Sequence, residues 1–367
     1  MSALRWLCAL ICASLLSCDT SLSAAGSSEG DPELMSAWVA LGRHLFYERR
    51  LSLNEDRSCG ICHEQAKGFT DGFVRAVGTT AELHPRNTTT LINVAARSSL
   101  GWVQPAPSSL EEQLLTPLLG EQPIEMGLAE VLTERLEALN QDRVYQGLIA
   151  PLKLDQLKLD HISIAIAHFE RTISSYQAPY DAYLLGERDA LSPAAQRGLT
   201  LFTEVLACGA CHGGRDFDQP LPVAQELQRS DARHDTTRHG WFNTGLYHLD
   251  DGRYPMGREG LFELTGERED IGRYRVPTLR NLAFTAPYYH DGSGASLEDV
   301  LRDYNQGGRV TRSGPYVGDG RTHPNKHPLI QALALTDLEL QDLRAFLLSL
   351  SDESIVSDPR LADPWPR

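Results

Sequence analysis

The sequence predicts a mainly α-helical protein built from two like halves. Three observations carry that expectation. Apolar residues recur at helical spacing along much of the chain, and few stretches alternate with a period of two. A Gly-x-x-Leu-Phe segment occurs twice, as Gly42 to Phe46 and as Gly198 to Phe202. Each copy is followed by C-x-x-C-H: Cys59-Gly60-Ile61-Cys62-His63, then Cys208-Gly209-Ala210-Cys211-His212.

The elements follow in order. Pro32 to Tyr47 places Leu34, Trp38, Leu41 and Leu45 at helical spacing and leads into the first cysteine motif. Ser109 to Leu115 opens a helix with Glu111 and Glu112 in its first turn, where the helix dipole favours negative charge. Leu128 to Gln141 and Leu154 to Tyr176 read as helices in the same way. Ser192-Pro193 supplies an N-cap and a proline at the first helical position, opening a helix to Leu206. Leu335 to Leu350 is amphipathic, with Leu338, Leu340, Leu343, Phe346 and Leu347 as its apolar set and Thr336 as its cap. The joint between the halves is expected at Tyr183 to Asp189. The expected organisation is a signal segment at 1–18, a flexible tether at 19–31, domains at 32–185 and 186–352, and a tail at 353–367.

C-x-x-C-H is the attachment sequence of a c-type haem. Two thiols must reach the two vinyl groups of one porphyrin from a single short turn, and the next residue must put an imidazole nitrogen on the iron. The competing readings are zinc-ligand pairs and redox dithiols. A zinc ribbon wants its pairs roughly 15–20 residues apart, and here nearly half the chain separates them. A thioredoxin-like site needs one motif beside a βαβ pattern, not two with His appended. The motifs therefore predict two cytochrome c-like helical domains, each with one covalently bound haem c.

The seven cysteines agree. Cys8, Cys12 and Cys18 fall in an N-terminal segment with Arg5 as its charged start and Trp6 to Leu16 as an apolar run too short to span a bilayer. Leu15-Leu16-Ser17-Cys18 matches the lipoprotein pattern, in which the cysteine is lipidated; ordinary cleavage near Ala24-Ala25-Gly26 is the alternative. Either way the remaining four cysteines belong to the haem motifs and none is left for disulfides. That usage fits the bacterial periplasm, with membrane contact only through a lipid anchor at Cys18. The formal charge of −15 argues against nucleic acid as a partner. The rest of the chain is long enough for two domains of ordinary size.

Several further segments resemble the bacterial di-haem cytochrome c peroxidases and their relative MauG. They are Gly42-Arg43-His44-Leu45-Phe46, Gly68-Phe69-Thr70-Asp71-Gly72, Pro85-Arg86-Asn87, Leu110-Glu111-Glu112-Gln113, Val276-Pro277-Thr278-Leu279-Arg280-Asn281 and Thr285-Ala286-Pro287-Tyr288-Tyr289-His290-Asp291-Gly292. The resemblance runs from about Leu34 to Ser351. His84-Pro85-Arg86, Trp102-Val103-Gln104-Pro105 and Gly120-Glu121-Gln122-Pro123-Ile124-Glu125 resemble the MbnH-type branch in particular.

The resemblance implies roles. His63 and His212 become the proximal iron ligands. The peroxidases carry a distal His over the N-terminal haem; the matching position here is Thr79, a poor iron ligand, so this haem is expected to be open to peroxide. His84, in the same loop, is the competing ligand. Over the C-terminal haem the peroxidases have Met and MauG has Tyr, and the matching residue is Tyr304. A thioether favours ferrous iron, whereas a hard phenolate oxygen stabilises more oxidised iron. Met256 is the competing ligand; only Met35 and Met126 otherwise remain once the signal is removed.

Gln113, Pro117 and Glu125 are implied over the N-terminal haem, with Glu125 moving the proton that O–O cleavage requires. Two extra residues between Pro117 and Glu125 keep Glu121 as a rival. Trp102 matches the tryptophan between the haems, although the family's Trp-Asp-Gly-Arg is here Trp102-Val103-Gln104-Pro105. A calcium ion is implied at the Asn87 side chain and the carbonyls of Thr285 and Pro287, in keeping with its preference for oxygen ligands. The activity implied is use of hydrogen peroxide to reach a high-valent di-haem state that oxidises tryptophan residues of a secreted partner protein. The alternatives are a cytochrome c peroxidase fed by a small redox protein and a non-catalytic di-haem electron carrier.

Overall fold

A computed structural model describes residues 31–97, 100–103, 109–221 and 240–365. The expected signal, Cys18, nearly all of the tether, and Gln104-Pro105 lie outside the described residues.

The fold is mainly helical. Asp31 caps the helix Pro32–Phe46, accepting from the Glu33 amide, and the helix buries Leu41, Leu45 and Phe46 completely. These residues face the helix Leu159–Glu170, which answers with Ile162, Ala165, Ile166 and Phe169. Phe46 and Phe169 meet with ring centres 5.1 Å apart. The two helices approach so closely that a Cβ on Gly42 would collide with the Ala165 carbonyl. The helix Leu110–Leu119 lies on the same partner, capped by Ser109 accepting from the Glu112 amide at 3.1 Å.

The second half repeats this crossing. The helix Pro193–Thr200, capped by Ser192, runs on into a π-helical turn at Leu201–Val205 and packs across Asp337–Leu348. Gly198 sits where a Cβ would strike the Asp342 carbonyl and the Phe346 side chain. The repeated Gly-x-x-Leu-Phe thus marks the same device twice: glycine opens the crossing, and Phe46 and Phe202 enter the cores beside it. Beside it, Arg197 holds Asp342 through two hydrogen bonds of 2.7 and 2.6 Å.

Several boundaries differ from the sequence expectation for local reasons. The helix expected at Leu154 begins only at Leu159, because Asn140 turns the chain before it, accepting from the Leu157 amide at 2.7 Å. Leu128–Glu130 is a 3₁₀ turn rather than the start of the helix Leu132–Gln141. Asp142 then caps a further helix, Arg143–Ile149, and a Ser296/Asp299 capping box opens another at Leu297–Asn305. Neither of these helices is among those the sequence predicts. Two short antiparallel pairs complete the description, Trp241–Phe242 with Tyr274–Arg275 and Val310–Thr311 with Gly318–Asp319.

Two cores result. The first runs from Leu41 to Ile173 in sequence and also takes in Ile355 and Leu361. The second gathers Phe202, Phe217, Leu297, Leu301, Leu343 and Phe346, with Tyr180 packed against it. The chain passes from one core to the other between Ile173 and Tyr180. A buried polar seam joins the halves: Asn93 Nδ2 donates to Asp216 Oδ1 at 2.7 Å, and the Tyr176 hydroxyl donates to Asp216 Oδ2 at 3.0 Å. No described helix is long and apolar enough to cross a membrane.

Candidate active site

Both cysteine motifs form a single tight turn. Cys59–Cys62 is one helical turn closed by the His63 amide on the Cys59 carbonyl at 2.8 Å. In the second motif the His212 amide meets the Cys208 carbonyl at 2.9 Å. All four thiols are free. Burial pushes them up, Cys62 and Cys208 to about 11 and Cys211 to about 12. A redox dithiol needs the opposite shift. Nor do the described residues gather three His, Cys, Asp or Glu as a metal cluster.

The two histidines are held alike. His63 Nδ1 donates to the Phe69 carbonyl at 2.9 Å, and His212 Nδ1 donates to the Phe217 carbonyl at 3.1 Å. Both phenylalanines take the left-handed backbone conformation, φ 58° and 56°, which turns each carbonyl back to its histidine. Burial holds both imidazoles below their usual pKa, hence neutral. An Nδ1 anchored on a carbonyl fixes ring and tautomer, leaving Nε2 as the ligating nitrogen. Two thiols, a neutral anchored imidazole and an apolar cavity form the donor set and cradle of a covalent haem, and the chain has that set twice.

The first cavity is lined by Cys59, Cys62 and His63 together with Gln113, Pro117 and Glu125. The main chain brings the last two together, since the Met126 amide donates to the Pro117 carbonyl at 3.1 Å. Glu121 is exposed and does not line this cavity. Burial raises the Glu125 pKa, and the neighbouring His84 lowers it in part. His84 itself lines the cavity, with Nε2 at 3.5 Å from Glu125 Oε1. Thr79 is buried and faces elsewhere: its hydroxyl donates to Asp56 Oδ1 at 2.7 Å, and it does not line the cavity.

The second cavity is lined by Cys208, Cys211 and His212 together with Tyr304. Tyr304 stands on the helix Leu297–Asn305, and its hydroxyl makes no hydrogen bond among the described residues. Burial raises its pKa, and the nearby Cys211 and Cys208 thiols add to the shift. Met256 is 92% exposed and lines neither cavity.

The cavities share a wall, for Thr89, Thr90, Arg97 and Gly101 line both. Trp102 follows directly in the chain, lines the second cavity and donates from Nε1 to the Asn87 carbonyl at 2.9 Å. Asn87, Thr285 and Pro287 line that same cavity. The Asn87 amide nitrogen is committed to the Phe73 carbonyl at 2.8 Å. Its Oδ1 and the carbonyls of Thr285 and Pro287 accept no hydrogen bond among the described residues, so three oxygens suited to calcium are unused.

Some residues at the site had no sequence signal. Arg97 reaches both cavities, with Nη1 and Nη2 on the carbonyls of Thr90 and Ile92 at 2.8 and 2.6 Å. Glu170 lines the first cavity, and burial pushes it up to about 8. His290, read only as part of a motif, is buried, its Nε2 has no hydrogen-bond partner among the described residues, and its ring is stacked 3.5 Å from Tyr274. No regular spacing announces such groups, because the fold alone brings them to the site.

The family model described as di-haem cytochrome c peroxidase matches residues 36–189. The cytochrome-c peroxidase IdrP1 of Denitromonas iodatirespirans is 32% identical, over 88% of this chain and 84% of its own length. The methylamine utilization protein MauG of Methylorubrum extorquens is 31% identical, over 86% of this chain and 78% of its own. Among solved structures, a MauG-like protein associated with microbial copper homeostasis is 40% identical with a TM-score of 0.82, covering 90% of this chain and 93% of that one.

Proposed function

The chain belongs to the di-haem cytochrome c peroxidase family, which includes MauG, and within it we propose that this protein works as a MauG-type enzyme on a partner protein. It is a peroxide-using oxidoreductase with two haem c groups. The bound haem irons supply the two-electron reduction of peroxide and hold the oxidising equivalents that result.

The chain's own residues do the rest. In this reading the 32–185 half carries the peroxide-reacting site and the 186–352 half the electron-transfer site. Thr79, tied to Asp56, offers no ligand over the first cavity, which leaves room for peroxide. Gln113 and Pro117 form its wall, and Glu125 holds the proton that moves between the peroxide oxygens. Trp102, fixed on the Asn87 carbonyl, stands by the shared wall and couples the two centres. Asn87, Thr285 and Pro287 hold calcium beside it. The substrate is a secreted protein whose accessible tryptophan yields the electrons. The leader of the chain carries the enzyme to the periplasm, with a lipid anchor at Cys18.

One observation carries the MauG side of this reading. Tyr304, not a methionine, faces the second cavity, while Met256 is turned to solvent. A phenolic oxygen disfavours ferrous iron, so the site is poorly suited to receiving electrons from a donor cytochrome. The neighbour that is 40% identical and MauG-like supports the same side. The test is Tyr304→His. The variant is expected to keep both covalent haems, by mass and by colour after denaturation, yet to lose peroxide-driven oxidation of the partner's tryptophan. A wild-type enzyme that turns over rapidly with a reduced small cytochrome and modifies no protein would instead be a plain peroxidase.

A further inference from the structure

We propose that His84 is the proton relay of the peroxide cavity: it carries protons to and from Glu125 and is not an iron ligand. This rests on the reading of the first cavity as the peroxide site.

The geometry on both sides of the ring supports it. His84 Nε2 lies 3.5 Å from Glu125 Oε1, and both side chains line the cavity. On the other side, Nδ1 lies 3.1 Å from the Arg86 amide nitrogen and 3.1 Å from the Arg86 carbonyl oxygen. With its proton on Nδ1, donated to the Arg86 carbonyl, the neutral ring turns the Nε2 lone pair toward Glu125 and can take up that group's proton. The cationic ring keeps Nδ1–H on the Arg86 carbonyl and presents Nε2–H to Glu125. Each charge state therefore has its partner already in place, and the ring need not rotate to change between them. A relay needs that property; an incidental loop histidine does not.

The loop is tied to the group it serves. The His84 amide donates to the Ala76 carbonyl at 2.9 Å, and the Thr79 amide donates to the Glu125 carbonyl at 2.8 Å. Both side chains thus belong to the cavity wall and face each other across it. Of the charged groups around this cavity, Arg97 donates to the Thr90 and Ile92 carbonyls, and Glu170 is buried within reach of the Cys59 thiol. Glu82 Oε2 accepts from the Ile124 amide at 3.4 Å, Arg57 pairs with Asp56 at 3.9 Å, and the Arg86 guanidinium pairs with Glu263. That leaves Glu125 as the carboxylate facing the His84 ring.

The proton balance is simple. Peroxide loses one proton as it binds, and the pair takes it up. The pair returns it to the outer oxygen, which leaves as water when the O–O bond breaks. The two electrons for that cleavage come from the haem centres, so the pair is neither oxidised nor reduced. His84 acts through Glu125 and is a positioning and relay residue.

Hydrogen cyanide makes the same demand without O–O chemistry, because it must lose a proton to bind ferric iron as an anion. The experiment measures cyanide association with the first haem of the intact diferric enzyme. His84→Gln keeps a polar contact but cannot carry a proton, and His84→Ala removes both. Both are expected to slow association by about tenfold or more, within the span usual for general acid–base groups, with haem content unchanged. The double variant with Glu125→Gln should be no slower than Glu125→Gln alone, since the two act as one unit. His84→Gln rates within about twofold of wild type would overturn the proposal. So would multiplicative effects in the double variant, or a low-spin first haem that turns high-spin in His84→Ala, which would make His84 a ligand. If the wild-type first haem takes no cyanide at all, the open-site reading fails and the relay with it.

Discussion

His323 and His327 show what the fold does to single residues here. Both are buried, and neither is part of a haem motif. Each is fixed through Nδ1, which accepts the Asn325 amide at 3.0 Å in one case and the Leu329 amide at 3.3 Å in the other. Burial pushes both pKa values down from 6.5 to about 4. The unfolded chain therefore takes up protons below pH 6.5 that the folded chain refuses until about pH 4. Stability must fall as the pH drops through that window, by up to ~1.4 kcal/mol per pH unit for each histidine. Melting temperatures measured between pH 7 and pH 5 should show it, and His327→Gln should flatten the slope. An unchanged slope in that variant would mean that His327 does not titrate as its burial requires. At this scale sequence is informative only where chemistry is contiguous. C-x-x-C-H is legible because two attachment points and a ligand lie within five residues. Tyr304 and Glu125 could be placed only by resemblance. The contact of His84 with Glu125 had no signal, because the Arg86 main chain and a loop closure create it.

At the scale of elements, the helix pairs Pro32–Phe46 with Leu159–Glu170 and Pro193–Thr200 with Asp337–Leu348 share one construction. The repeat that announced them was legible, but its cause was not, since sequence cannot show that glycine faces a carbonyl of another helix. The structure makes that cause testable. In Gly198→Ala the new methyl meets the Asp342 backbone and Phe346, none of which is a flexible chain end. Overpacking of this kind costs about 1–3 kcal/mol. A substitution that raises helix propensity should therefore lower the melting temperature. An unchanged or higher melting temperature would show that the crossing relaxes and that glycine is not required there. Helix ends were less legible than helix existence. Asn140 and Asp142 decide where neighbouring segments turn, through side-chain bonds that compete with helical ones.

The whole molecule is tied together by its last residues. Sequence reading takes 353–367 as a tail, yet the described part packs on the first core although it follows the second. Ile355 and Leu361 are buried there among residues of the N-terminal half. The Tyr47 hydroxyl donates to the Leu361 carbonyl at 2.7 Å, and Arg43 donates to the Ala362 and Pro359 carbonyls at 2.7 and 2.9 Å. Gln65, two residues past the first haem histidine, donates to the carbonyls of Ile355 and Asp358 at 3.0 and 2.9 Å. Trp365 closes the strap edge-on to His44 at 5.2 Å. Sequence could not reveal this, because a short segment rich in Asp, Pro and Ser carries no helical or strand period. The consequence runs against chain order. Deleting 353–367 should leave the core around Phe346 intact and destabilise the half that carries Cys59 and Cys62. Burying Ile355 and Leu361 alone contributes roughly 1.5–3 kcal/mol each, and loss of the strap also strips partners from Tyr47, Arg43 and Gln65. Limited proteolysis of the truncated holoprotein should cut first within residues 32–173, with residues 240–350 protected. Cleavage that begins in the C-terminal half would show that the strap serves its own half and not the distant one.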